Sequence, residues 1–548
     1  MNQTLNLQPN YSANENGYQL WIPLDCSTRI PEDDPVRLLN AVAERMNYRK
    51  IEAAYSRYGR IEYSPKILTK VLVYGYMRGI ITTRELERAC KENICFMYLL
   101  EGRKAPDHNT ISRFRSKVLR GEAGQELLKQ LNQMLIASGV IDLEAVFIDG
   151  TKIEANANKY SFVWKKAQAK KMLKLNERIK AELPEMLKKA NIRFYLGDTV
   201  PIRRLKKLLK RLGAKCKEEE IKFVSGKGNH KSILQKLFEK VKDIIAKYKQ
   251  YTADIHICGE RNSYSKTDHD ATFMHMKEDY MRNGQLKPGY NVNVATSNEF
   301  IIGTYISADR SDVQTLIPFM NQLKETYSDQ TIKRIVVDSG YESEENYCWF
   351  EDNPQTELFV KPTDHEVKKS KKYRTDISRR ENMTYDSETD TYTCAGGKPI
   401  RASYEKHSKS ASGLSLTTTV YECSECKGCP LKEKCIRSCG SKKPLEERYK
   451  VLYVSKRFAQ QRSAMEKKIN SAEGILLRVN RSIQSEGIFA FAKEDMNFRR
   501  FFTRGKDNVT TEWFLLSMAI NILKLHFKIQ KGRLGTALKV PQSFPAGL

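Results

Sequence analysis

The chain lacks a start of the secretory kind: Met1 to Tyr18 is polar and rich in Asn and Gln, with no charged stretch followed by an apolar one. It also lacks a long apolar run. The most apolar helical candidate, Trp513 to Phe527, is too short to span a bilayer and carries Lys524 and His526, so it is expected as a core helix. A cytoplasmic chain without membrane spans is the expectation. No Gly-rich phosphate loop of the Walker type is present, which argues against ATP use. Histidine is scarce, with eight residues and no paired ligand spacing, so His108 and His269 are expected to be structural donors.

What the chain does have is positive charge. Lys and Arg number 94 against 66 acids, a balance of +28, and such an excess favours a long polyanionic partner. Nucleic acid fits better than a membrane surface, because the basic residues are spread along the chain and not gathered beside an apolar anchor. At 548 residues the chain has room for three to four domains, or for one with large insertions. Twelve cysteines in a reducing compartment stay as thiols. Six of them crowd between Cys394 and Cys439, which points to metal and not to disulfides.

In chain order, helices are expected at Val36–Arg45, Pro65–Met77, Thr83–Cys90 and Asn109–Leu119. In the last, Ile111, Phe114 and Val118 make an apolar face while Arg113, Arg115 and Lys117 project elsewhere, as in the second helix of a helix-turn-helix. Ala145-Val146-Phe147-Ile148-Asp149-Gly150 then reads as a buried strand ending on a carboxylate. A Lys-rich block from Trp164 to Tyr251 follows, which Pro184, Gly197 and Pro201 should divide into helical arms that grip phosphates. Pro288–Ala295 and Phe300–Ile306 are expected as a hairpin turning at Thr296-Ser297-Asn298, with a helix at Asp309–Met320 behind it. Ile332–Val337 is a second buried strand, and it also ends on an acid at a turn, Asp338-Ser339-Gly340-Tyr341. From Glu344 a helix begins.

The stretch from about Glu351 to Val454 is polar, turn-rich and full of Cys. Its Cys423-x2-Cys426-x2-Cys429-x5-Cys435 spacing suits a tetrahedral structural zinc. Cys394, Cys426, Cys429 and Cys435 are the preferred ligands, with Cys423 as the alternate. Beyond it, Glu486 and Lys493 stand seven apart on one helical face. Phe498-Arg499-Arg500-Phe501-Phe502-Thr503-Arg504-Gly505 interleaves cations and aromatics in the manner of a nucleic-acid contact.

Two strand-end aspartates, a helical Glu and a Lys two turns on resemble the catalytic set of DDE transposases of bacterial insertion sequences. The likeness extends to the N-terminal helical block, Pro-Gly-Tyr-Asn-Val, Val-Asp-Ser-Gly-Tyr, the Cys-rich segment before the Glu and Phe-Arg-Arg-Phe-x-x-Arg-Gly. It implies an α/β RNase H-like mixed sheet flanked by helices, two Mg2+ ions, cutting at transposon ends and strand transfer into target DNA. One departure stands out. The family's Tyr-x2-Arg-x3-Glu-x6-Lys signature is matched at Glu486 and Lys493, but Val479 and Ser482 hold the Tyr and Arg places. Arg481 lies one residue early, about 100° around an ideal helix. Either Arg481 or Arg478 could take the phosphate-binding role.

On this basis Asp149 is expected to bridge two Mg2+ ions, Asp338 and Glu486 to hold one each, and Lys493 to touch a DNA phosphate. Asn109, Arg113, Arg115, Arg478, Arg481, Arg499, Arg500 and Arg504 are expected DNA contacts. The expected division is a polar tail at 1–34, a helical DNA-binding domain at 35–130 and the first part of the catalytic core at 143–350. That first part includes the basic insertion at 164–255. A zinc-binding insertion at 351–460, the last part of the core at 461–530 and a tail at 531–548 complete it. The partner is double-stranded DNA, at the transposon ends and the target, with a homodimer on DNA and a nucleoid-associated location. Two other functions remain open: a nuclease of the same core without strand transfer, and a non-catalytic DNA-binding protein.

Overall fold

The β-branched and aromatic run after Glu144 forms β1 (Ala145–Glu154), whose burial is nearly continuous because both of its faces are covered. The computed structural model describes residues 26–535 and 538, apart from 54, 56–62, 198–199, 227–229, 277–283, 411 and 437–442. Most of the polar tail, the end of the C-terminal segment and Cys439 therefore lie outside the described residues.

After β1 come two short paired strands, β2 (Phe162–Trp164) and β3 (Ser263–Ser265), at the base of the basic insertion. Then follow β4 (Thr272–His275), β5 (Leu286–Ser297), β6 (Phe300–Ser307), β7 (Arg334–Val337) and β8 (Glu357–Val360). The main sheet has the order β4-β5-β1-β7-β8, with β6 also on β5. β1 is antiparallel to β5 and parallel to β7, and β7 is parallel to β8. This is a mixed α/β fold of the RNase H-like kind. The β5–β6 turn falls at Asn298 and Glu299, both left-handed (φ 52° and 70°), as a two-residue hairpin loop requires. The strands therefore run past the turn read from sequence.

The two faces of β1 see different partners. Val146 and Ile148 join the large core, which also contains Leu72 and Tyr74 of the helix Pro65–Met77 and Trp513 and Ile520 of the helix Lys506–Gln530. The N-terminal helices thus pack on the sheet through one continuous apolar core. The expected core helix at Trp513–Phe527 is there and is longer at both ends. Ala145 and Phe147 face the other way, onto Val336, Phe359 and Leu477 of the helix Ala472–Arg481. Asp149 shares this second face by the two-residue alternation of the strand.

The basic insertion is three helices, Lys165–Lys189, Ile202–Glu218 and Ile233–Cys258, with their own core of Leu175, Ile179, Leu183, Leu205, Leu208, Leu237 and Val241. Pro184 does not divide the first of them. The helix runs through it, because buried Leu175, Ile179, Leu183 and Leu187 on both sides keep one apolar stripe seated despite the lost backbone bond. The helix expected at Asp309–Met320 starts later, at Leu316, because Asp309 accepts from Ser307 at the end of β6 and Asp312 from Asn291 on β5, which hold this stretch to the sheet.

The Cys-rich segment is built as a five-stranded antiparallel sheet of β9 (Thr384–Asp386), β10 (Thr391–Thr393), β11 (Pro399–Lys409), β12 (Ser415–Glu422) and β13 (Val451–Val454). Among the described residues no helix is long and apolar enough to cross a membrane.

Candidate active site

Parallel pairing sets the first two acids side by side. Ile148 of β1 is in register with Val337 of β7, so Asp149 and Asp338 are the next residues along neighbouring strands. Asp149 is still inside the strand and 5% exposed. Asp338 is one residue past its strand, where its Oδ1 accepts the Gly340 N–H at 2.8 Å and caps a single 3-10 turn. The turn chemistry of Asp-x-Gly thus places the carboxylate, and the strand register places the turn.

Glu486 arrives from the opposite layer. The helix Ala472–Arg481 continues into a π-turn at Ser482–Glu486. A π-turn closes i to i+5, so it adds one residue to the turn. This resolves the departure in the sequence: Arg481, one place early for an α-helix, comes onto the face of Glu486. Its Nη2 meets Glu486 Oε1 at 3.0 Å and its Nη1 stands 3.7 Å from Asp149 Oδ2. One guanidinium therefore joins the strand acid to the helix acid. Arg478 points elsewhere, half-buried near Glu366, and burial holds its guanidinium below the usual range.

Lys493, in a second π-turn at Phe491–Asp495, is 8% exposed and donates from Nζ to Thr151 Oγ1 at 2.9 Å. Thr151 is two residues beyond Asp149 on the same strand face. The structure therefore brings Asp149, Asp338, Glu486, Arg481 and Lys493 to one end of the sheet. Among the described residues, no three His, Cys, Asp or Glu side chains stand close enough to hold an ion as they are.

Other candidates are dispersed. Asn109 and Arg113 are exposed on the helix His108–Arg113, which Asp107 caps. Arg115 turns inward, 8% exposed, with Nη1 on the Ile81 carbonyl at 3.3 Å. Burial raises the Glu512 carboxyl, and the Arg115 charge is the largest opposing influence. Arg499 bonds Glu494 at 2.5 Å. Arg500 donates to the carbonyls of Ala155 and Ala157, and Arg504 to that of Asn156. Arg500 and Arg504 thus fasten the loop to the end of β1 while remaining exposed.

Of the cysteines, Cys394 Sγ and Cys429 Sγ lie 3.8 Å and 3.7 Å from the point a Cβ on Gly396 would occupy. Cys426 Sγ accepts the Lys450 N–H at 3.3 Å. Burial raises the Cys435 thiol, Lys450 opposes it, and the neighbouring Cys394, Cys426 and Cys429 add to the rise. Cys423 is 1% exposed in the small core with Ile400 and Tyr421, and burial pushes its thiol up to about 11.

Sequence reasoning missed a polar layer beneath the acids. The Tyr341 hydroxyl, wholly buried, donates to Asn293 Oδ1 at 2.5 Å, and Thr315 Oγ1 donates to the same oxygen at 2.9 Å. Asp312 accepts from Asn291 at 2.6 Å. The Tyr341 hydroxyl is held well above its ordinary pKa, first by burial and then by the charges of Asp312, Asp149 and Asp338. The alternation Asn291-Val292-Asn293 on β5 was the available signal, two polar residues on one face of a buried strand.

Residues 393–526 match the family model of the transposase DDE domain, and residues 24–117 match that of a transposase domain, DUF772. No curated protein and no solved structure matches the chain. The first match includes Glu486, Lys493 and Arg481, and the second covers the N-terminal helices up to Lys117. Set on an RNase H-like sheet, the two matches indicate that the chain is a DDE-type transposase of an insertion element.

Proposed function

We propose that this transposase binds the terminal inverted repeats of its element, cuts DNA there and joins the ends to target DNA. Asp149, Asp338 and Glu486 are its catalytic carboxylates. The observation that carries this reading is the convergence at the end of the sheet: register sets Asp338 beside Asp149, and Arg481 ties Asp149 to Glu486.

The donor set suits Mg2+, a hard cation that prefers carboxylate oxygen. Asp149, Asp338 and Glu486 would hold two ions, which when bound supply an activated in-line nucleophile and a stabilised leaving oxygen. The protein's own part is positioning. Asp149 sits on a strand hydrogen-bonded on both sides, so its carboxylate cannot drift. Lys493 holds its charge beside Thr151, where a phosphate lying over the acids would meet it. Arg481 is the guanidinium next to the carboxylates, and it is assigned the phosphate contact that the sequence left open between Arg478 and Arg481.

Residues 35–130 would present Asn109 and Arg113 to DNA, and the insertion at 164–255 would hold the backbone without base preference. Residues 351–460 would carry one structural zinc on Cys394, Cys426, Cys429 and Cys435. The support for that set is that Cys394 and Cys429 both border Gly396 and that Cys426 accepts a backbone amide. Cys423, buried against Cys426 and Cys394, stays the alternate ligand. A homodimer on DNA is the assembly this reading requires for paired ends.

A plasmid bearing the element's ends tests it. With Mg2+, the full chain is expected to give cut ends and then joined products. Cut ends that never join would favour the nuclease, and binding without cutting would favour the non-catalytic protein.

A further inference from the structure

The row that begins with Asp149 and Asp338 has a third place. Val337 of β7 is in register with Val360 of β8, as Ile148 of β1 is with Val337. The next residues along these three parallel strands are Asp149, Asp338 and Lys361. Pro362 disfavours helical backbone at Lys361, so the line of β8 carries through to it.

Two observations put the Lys361 side chain on the face of the acids. By strand alternation it shares the face of Phe359, which packs with Phe147, Val336 and Leu477, and Asp149 and Asp338 share the face of Phe147 and Val336. Independently, its Nζ meets Glu366 Oε1 at 3.4 Å, and the Glu366 charge acts on Arg478 of the helix Ala472–Arg481, which covers that face.

Charge at this end is lopsided. Glu366 also takes Lys369 Nζ at 3.1 Å, so Lys361, Lys369 and Arg478 share one carboxylate. The side chains of Lys361 and Glu366 are 36% and 56% exposed, and an ion pair this open contributes little. It opens to a stronger anion at small cost. At the β1 end of the row, Lys493 meets Thr151. Two carboxylates thus lie between two lysines. A DNA strand carries a phosphate roughly every 3.4 Å along the duplex axis, so one crossing the acids brings a phosphate within reach of a side chain rooted at the end of β8.

Resting on the catalytic reading above, we propose that Lys361 binds the DNA phosphate next to the scissile one, on the β8 side of the acids. It fixes the strand from the end opposite Lys493. If Lys361 only pegged its loop through Glu366, removing either partner would do the same harm, and no phosphate would be singled out.

The test is cleavage by the full chain of duplexes of the element's end, each carrying one uncharged methylphosphonate near the cut, in wild type, Lys361→Gln, Glu366→Gln and Asp149→Ala. With DNA below saturation, Lys361→Gln is expected to cut the all-phosphate duplex roughly tenfold more slowly, the loss of one charge-assisted contact. A methylphosphonate at one position beside the cut should slow wild type by a similar factor and Lys361→Gln no further, because the contact is already gone. Glu366→Gln, which frees Lys361, should cut at least as fast as wild type. Wild-type rates in Lys361→Gln overturn the inference. So do methylphosphonates that all slow Lys361→Gln as much as wild type, and so does a loss in Glu366→Gln equal to that in Lys361→Gln. Wild-type cleavage by Asp149→Ala overturns the reading beneath it. Should Lys361→Gln fail to fold, Lys361→Met gives the same comparison, and wild-type rates in it likewise overturn the inference.

Discussion

The Arg481 guanidinium and the Glu486 carboxylate meet at 3.0 Å although they stand five positions apart in the chain. An α-helix aligns residues three or four apart, and the π-turn at Ser482–Glu486 accommodates the extra residue. Exchanging the two side chains, Arg481→Ser with Ser482→Arg, restores the family spacing in sequence but turns the cation about 100° away. Cleavage in this double variant is expected to fall roughly 100-fold, as far as in Arg481→Ala. Wild-type rates in the exchange would show that the π-turn does not set the position of the cation.

Gly150 is tightly enclosed. A Cβ there would stand 2.9 Å from Tyr341 Oη, 3.1 Å from Asp312 Oδ1 and 3.2 Å from Asn293 Oδ1. Gly150→Ala must push this polar layer away from the strand, and a loss of about 1–3 kcal/mol is expected from urea unfolding. Because the turn after Asp338 rests on the same layer, cleavage should fall with it.

These two residues show what could be read from sequence and what could not. Asp149 and Asp338 were legible because each closes an apolar β-branched run, and that pattern is local. Glu486 and Lys493 were read from their spacing as sharing one helical face, but they stand in separate π-turns, Glu486 exposed and Lys493 buried. The place of Arg481 was not legible, since a π-turn has no compositional mark and α-helical periodicity gives the wrong face. Asp312 lies in a loop without periodicity, and only the crossing of β5, β7 and that loop brings it against Gly150 and Gly340. Pro184 misled for the opposite reason: a local breaker was overridden by a stripe of buried leucines. Arg115 looked like a surface cation, but it is the companion of buried Glu512.

The helix Ile202–Glu218 offers Arg203, Lys206, Lys207 and Lys210 to solvent, with no acid before Glu218. If these four cations meet phosphates, converting them to Gln should lower affinity for any duplex and reduce the slope of log K against log salt by roughly 3 to 4. Filter binding at several salt concentrations measures this. Selectivity for the terminal repeats should be unaffected.

The Cys-rich sheet is expected to hold about one zinc ion per chain, measured by elemental analysis of the full protein. Cys429→Ser should release it and destabilise the five-stranded sheet. Cys423→Ser should retain it if Cys394, Cys426, Cys429 and Cys435 are the four ligands, and loss of zinc in Cys423→Ser would make Cys423 a ligand in place of one of them. Folded protein without metal would remove the zinc site from the account.

The most direct test of the central claim is cleavage of end-bearing plasmid DNA in Mg2+ by Asp149→Ala, Asp338→Ala and Glu486→Ala, with binding to the ends measured alongside. Each variant is expected to bind the ends as wild type does and to leave them uncut. Full end cleavage by Asp149→Ala would contradict it.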